Sequence, residues 1–271
     1  MHVYHINVAS QPDRRAAIEA ELAQLPPDWA ASRVEAVTPA TLDSARAVAS
    51  LQPGENACCQ SHRRVMDLAA AAGGHALVLE DDVQLAPRSA ELIDGAVNAL
   101  PPTAWDLLFT DVAIPDPEPM LQLFLLRRRA TAEGRMHLLN LAGLPFCGST
   151  AYVINGASLR RVMAVVDANR HGLPFDLLLR QAIFDGELSG RLIFPFPTTV
   201  SAAADASQIQ AASVQGTDLL WNAYRRLMWI GQDPARVEAT LAALPVPTGD
   251  VESQLMGRIL TVALSPALVR K

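Results

Sequence analysis

Residues 76 to 87, Ala-Leu-Val-Leu-Glu-Asp-Asp-Val-Gln-Leu-Ala-Pro, constrain this chain more than any other stretch, because a wholly apolar run passes without a spacer into three acids. An apolar run this short predicts a strand buried on both faces of a parallel sheet. Three adjacent carboxylates at the end of such a strand repel one another and invite a cation. Glu80, Asp81 and Asp82 are therefore a candidate site for a divalent metal or a metal-bound phosphate. Alternation along extended chain turns Glu80 and Asp82 to one side and Asp81 to the other, so that two oxygens converge on one ion. The same acids can form a solvated turn, but the carboxyl ends of parallel strands are where open α/β sheets bind ligands.

Around this stretch the pattern alternates between strand and helix. Val3 to Val8 reads as a first strand, and a polar turn at residues 9 to 15 leads into a helix from Ala16 to Leu25 that Pro26-Pro27 stops. Val34 to Val37 reads as a second strand. Gly54 opens a helix in which Cys58, His62, Val65, Ala69 and Ala72 recur at three- and four-residue spacing, and Gly73-Gly74 ends it. Helix, turn and acidic strand in this order predict a βαβ crossover and an α/β fold. Ser89 is a cap for the next helix, and Trp105 to Thr110 is a strand ending in Asp111, either a second acid in the same crevice or a turn initiator. Residues 114 to 119, with three prolines, predict a loop, and Arg127-Arg128-Arg129 can meet a phosphate or simply face solvent. Strands are expected at 138–141, 149–154 and 191–196, and helices at 157–168 and from Phe175, with Asp176 in a first turn where the helix dipole favours an anion. Residues 201 to 216 read as a mobile loop. The chain thus divides into an α/β domain over 1–216 and a helical extension over 217–271. In that extension Leu219, Leu220, Ala223, Leu227 and Met228 share a face that can dock on its own domain, on a second copy or on a membrane surface.

Other chemistries are excluded by inspection. A net charge of -6 argues against a general nucleic-acid binder. Every basic residue except Lys271 is arginine, so neither a Schiff-base lysine nor a P-loop lysine is available. Cys58, Cys59 and Cys147 supply neither a disulfide framework nor a zinc spacing, which suits a reducing, cytoplasmic setting. No basic leader precedes the first strand and no run reaches the ~18 apolar residues of a membrane span, so a soluble or membrane-peripheral protein is expected. Gly-x-Gly-x-x-Gly after the first strand, Gly-x-Ser-x-Gly and His-Glu-x-x-His are all missing. The acidic strand is similar to the phosphoacceptor strand of receiver domains, but these place it at their start and need a later lysine.

Seven motifs fall in a shared order: Ile6-Asn7 with Pro12-Asp13-Arg14-Arg15; Gly54-Glu55 with Cys58 and Ser61-His62; Leu79-Glu80-Asp81-Asp82; Trp105 to Phe109; Gly148 to Ile154; Pro174-Phe175-Asp176; and Pro195 to Ile209. Together they resemble glycosyltransferase family 25, which holds lipooligosaccharide and collagen galactosyltransferases, over residues 1 to 215. The resemblance implies a GT-A fold, a Rossmann-like three-layer α/β/α arrangement with a mostly parallel sheet. It also implies a nucleotide-sugar donor such as a UDP-sugar, a saccharide acceptor such as lipooligosaccharide, Mn²⁺ or Mg²⁺ at the acidic motif, and inversion at the anomeric carbon. Glu80 and Asp82 are then the metal ligands, and an oxygen-only pair suits those ions. Asn7, Arg14, Arg15, His62 and Asp81 fall on the donor side, although Arg15 can equally be a solvated helix residue and His62 a core histidine. The acceptor hydroxyl must lose a proton to a carboxylate, with Asp176 the first choice and Asp111 the second. The sequence departs from the family pattern at Ala202 and at Ser207-Gln208-Ile209, which leaves a catalytically silent protein of the same shape as the alternative.

Overall fold

The computed structural model describes residues 1–205 and 215–244, together with Val251, Glu252, Leu255, Met256 and Ile259. In chain order the elements are β1 (His2–Asn7), α1 (Pro12–Leu22), β2 (Ala30–Glu35), α2 (Pro53–Ala72), β3 (Ala76–Glu80), β4 (Val83–Leu85), α3 (Ser89–Ala99), β5 (Leu107–Phe109), α4 (Pro117–Glu133), β6 (His137–Asn140), β7 (Ala151–Ile154), α5 (Leu159–Ala168), α6 (Phe175–Phe184), β8 (Gly190–Phe194), β9 (Thr198–Val200), α7 (Gln215–Met228) and α8 (Pro234–Ala242).

Seven strands form one sheet in the order β2-β1-β3-β7-β5-β8-β6, and β4 and β9 pair separately. β1 lies parallel to both β2 and β3, and β5 parallel to β8, while β7 and β6 run antiparallel to their neighbours. The two-residue period of the strands sorts their side chains into two cores. Leu77 and Leu79 of β3, Ala151 and Val153 of β7 and Leu108 of β5 pack with Ile18 of α1 and Ile93 of α3. Ala76, Val78, Tyr152, Ile154, Leu107 and Phe109 face the opposite way, against Val65 and Met66 of α2, Val162 of α5 and Leu178 of α6. The fold is a Rossmann-like α/β/α sandwich, and because β1, β2 and β3 are parallel, Asn7, Glu35 and Glu80 end on the same edge.

Several boundaries differ from the sequence reading for identifiable reasons. The first helix starts at Pro12, four residues early, because a proline at the first helical position forfeits only an amide that has no partner there. The same geometry overturns the loop at 114–119: Asp116 accepts from the Glu118 amide as N-cap, and Pro117 opens the 17-residue α4, which closes on Gly134 at φ 63°. Ser89 is the first residue of α3 and not its cap. Its hydroxyl instead donates to the Pro197 carbonyl and accepts from the Ala86 amide.

α7 lies against β9, the turn at 202–205 and α4. The shared face expected for it is displaced, since Leu220 is 43% exposed while Ala223, Tyr224 and Met228 are buried together with Arg225 and Arg226. Arg226 donates to Val200 and Ser201 carbonyls, to Asp205 and to Thr240, which binds the turn and α8 to the helix. Arg127 donates to the Trp229 carbonyl and Gln232, so the basic run is partly a structural tie. Residues 206–214, including Ser207-Gln208-Ile209, lie outside the described part. Among the described residues no helix is long and apolar enough to cross a membrane.

One contact in the sandwich is intolerant of even a methyl group. A Cβ on Gly156, just after β7, would stand 2.2 Å from the Gly74 carbonyl oxygen, which is backbone and cannot swing away. Gly156→Ala is expected to cost ~2 kcal/mol or more, lowering the midpoint of thermal unfolding by roughly 4–8 °C, as differential scanning fluorimetry would record.

Candidate active site

The acidic stretch lies where strand geometry gives out. β3 ends at Glu80, and Asp81-Asp82 form the tight turn into β4, so the alternation of side chains does not reach Asp82. Arg14 near the start of α1 bridges the two turn residues instead, with Nη1 3.2 Å from Asp81 Oδ1 and Nη2 2.9 Å from Asp82 Oδ2. Asn7, at the end of β1 and buried, donates to Asp81 Oδ2 at 2.8 Å and accepts from Arg33 through its own side-chain oxygen. The turn is pinned from behind by the Ser201 amide, which donates to the Asp82 carbonyl.

Glu80 faces the other core. Its Oε1 accepts from the Ser149 hydroxyl at 3.0 Å and lies 3.3 Å from Nε2 of His62. The His62 ring is buried, stacked on Phe175 at 4.0 Å between centroids, with Nδ1 2.9 Å from the Tyr152 hydroxyl. Burial pushes the Glu80 carboxyl up, but the His62 and Ser149 hydrogen bonds and the Arg225 charge outweigh it and hold Glu80 below the usual carboxylate range. A carboxylate there accepts the Nε2–H, which in the neutral ring leaves Nδ1 to accept from Tyr152. Burial keeps the Tyr152 phenol protonated, well above its ordinary value. His62 is thus a buried core residue that pairs with Glu80.

Asp82 has the opposite balance. Burial and the neighbouring Glu80 charge raise it to about 7 despite Arg14, and its Oδ1 is buried without a hydrogen-bond partner among the described residues. Burial also raises Asp81, against the pull of Asn7 and Arg14. Asp176, in the first turn of α6, does not cap its own helix; its Oδ2 accepts from the Gly148 amide at 2.8 Å. Oδ1 of Asp176 and Oε2 of Glu80 make no hydrogen bond among the described residues.

Two other expected residues are engaged by protein partners. Arg15 runs along the outside of α1 to Glu19 in an exposed i,i+4 pair, away from the acids. Asp111 is wholly buried, with Oδ2 taking Nε of Arg225 at 2.8 Å and also its Nη2, and Oδ1 accepting from Thr198 at 3.2 Å. Burial first, and the Asp176 charge after it, push the Cys59 and Cys147 thiols up to about 12, so neither is a nucleophile near neutral pH.

The donor set fits a hard divalent cation only in part. Among the described residues no group of three or more His, Cys, Asp or Glu side chains is arranged to hold an ion. Mg²⁺-like ions, however, commonly take one or two carboxylates and complete their shell with substrate phosphate and water. Asp82 Oδ1 and Glu80 Oε2 make no hydrogen bond among the described residues and are oxygens of the kind that Mg²⁺ and Mn²⁺ prefer.

The acids lie beyond the ends of the sheet's central strands, where open α/β sheets commonly bind ligands. The family model for glycosyltransferase family 25 (LPS biosynthesis protein) matches residues 1–179, two thirds of the chain, and the chain belongs to that family of glycosyltransferases. No curated protein matches it at a significant level.

Residues that sequence reasoning passed over are Tyr152 and Ser149, which hold His62 and Glu80, and Arg225. Neighbouring arginines on a helix read as solvated, and nothing in the local pattern marks Arg225 as buried.

Proposed function

We propose that the chain transfers a hexose from a nucleoside-diphosphate donor to a hydroxyl of a saccharide acceptor, with inversion at the anomeric carbon. The observation that supports this reading best is the unequal satisfaction of the carboxylates. Asp81 is tied to Asn7 and Arg14, whereas Asp82 and Glu80 each retain an oxygen with no hydrogen-bond partner among the described residues. Glu80 and Asp82 are the residues that would hold a Mn²⁺ or Mg²⁺, and the ion would neutralise the diphosphate as it leaves. Asn7 and Asp81 orient Arg14, which can turn its guanidinium from Asp82 to a phosphate once that carboxylate has another cation. Asp111, saturated by Arg225 and Thr198, is an anchor, which leaves Asp176 as the base.

In this reading the acceptor oxygen bonds to the anomeric carbon while the bond from that carbon to the β-phosphate oxygen breaks. The electron pair of the broken bond stays on the nucleoside diphosphate, and the acceptor proton passes to Asp176 Oδ1. His62, itself bonded to Tyr152, and Ser149 keep Glu80 ionised and fixed, which preorganises the charge that the donor meets.

Incubation with Mn²⁺ or Mg²⁺, a panel of nucleotide sugars and a lipooligosaccharide acceptor tests the proposal by nucleotide release and by the mass of the product. Transfer that stops on adding EDTA is the expected result. Binding of donor with neither hydrolysis nor transfer across the panel would instead show a silent protein of the same fold.

A further inference from the structure

The C-terminal helix α7, which lies beyond the residues matched to the family, carries a cation into this crevice. Arg225 is 6% exposed, yet only one edge of its guanidinium is used: Nε and Nη2 both donate to Asp111 Oδ2. Its Nη1 makes no hydrogen bond among the described residues, and it is not among their sealed, unpartnered polar atoms. It therefore keeps access to solvent. Nη1 lies beside Gly148, where an added Cβ would stand 3.9 Å from it, and the Gly148 amide is the one that holds Asp176. The Arg225 charge is also felt at Glu80 and Asp82, where it favours the ionised form. An arginine needed only to fasten α7 has no requirement for an unpartnered Nη1 beside the base and the acids.

We infer that Arg225 is a substrate-binding residue of the site, held by Asp111 so that Nη1 donates to the diphosphate of the donor and of the departing nucleotide. Asp111 offsets the cost of burying the guanidinium and fixes its plane. The fork is then already oriented when the phosphate arrives, with no side-chain entropy left to lose. Lysine would do both tasks less well, because an ammonium lacks the planar fork that sets one edge on Asp111 and leaves Nη1 aimed at a phosphate. A glycine at 148 leaves the space that the phosphate oxygen requires, at φ +91°, where other residues are strained.

The inference rests on the donor reading above, and the two are separable by binding alone. Uridine, guanosine, adenosine and thymidine diphosphates, each beside its monophosphate, are titrated by calorimetry into the full chain with Mn²⁺ present. The wild type is expected to prefer one diphosphate over its monophosphate. Arg225→Gln should reduce that preference by about tenfold or more, with the monophosphate affinity nearly unchanged. Since removing one partner of a buried ion pair can unfold a protein, Arg225→Lys is measured beside it. That variant keeps the charge opposite Asp111, and its preference should fall several-fold. An unchanged preference in a folded Arg225→Lys protein overturns the assignment of Arg225 while leaving the donor reading standing. A wild type that binds none of the diphosphates overturns the donor reading and this inference with it.

Discussion

Asp82→Asn is expected to lower transfer by about 10³-fold and to remove the metal dependence of nucleotide binding, without loosening the fold. The rate effect follows from what a cation on the diphosphate is worth, several kcal/mol, at about 1.4 kcal/mol per tenfold. No other described group replaces Asp82 Oδ1, since Asp81 is taken by Asn7 and Arg14, and Glu80 Oε1 by Ser149 and His62. The fold should survive because the turn is held through backbone, from the Ser201 amide to the Asp82 carbonyl, and because Arg14 keeps Asp81. Removing one of three crowded carboxylates also relieves repulsion, so the unfolding midpoint of the metal-free protein should stay level or rise. That divergence, activity lost with stability kept, is what separates a functional carboxylate from a structural one. Turnover within tenfold of wild type would show that Asp82 holds no ion.

Much of this site was legible because its parts are local. An apolar run that stops at Glu80 declares both the buried strand and the place where polar groups can surface. Period-four spacing in residues 58–72 likewise put His62 on the face of α2 that meets Tyr152 and Glu80. What failed to show was long-range or combinatorial. Pro117 and the prolines around it read as a loop because proline forbids a helix interior, yet a single Asp cap ahead of it makes the same residue a helix start. The Arg225–Asp111 pair spans 114 residues, and nothing in either neighbourhood reports the other. Asp111 looked available because an acid at a strand's end usually meets solvent. Only the docking of α7 makes it one of the most deeply buried charges in the protein, and turns a candidate base into the support of an arginine.

Asp176→Asn is expected to reduce the transfer rate by at least ~10²-fold while leaving the affinity for donor nearly unchanged, as loss of a general base does. Asparagine is the informative replacement because its carbonyl oxygen can still accept from the Gly148 amide, so α6 and the loop before β7 keep their register. The amide cannot take up a proton, so the acceptor hydroxyl has to attack without assistance. Neither His62 nor the cysteines offer a substitute: His62 is buried between Tyr152 and Glu80, and burial keeps Cys59 and Cys147 protonated. Single-turnover measurement with saturating donor separates the outcomes, since a slowed chemical step with an unaltered donor dissociation constant is the signature of a lost base. Collapse of donor affinity in the same variant would make Asp176 a donor ligand. With Asp111 sealed by Arg225 and Thr198, the proton would then have to leave through solvent or through a group that the acceptor itself brings.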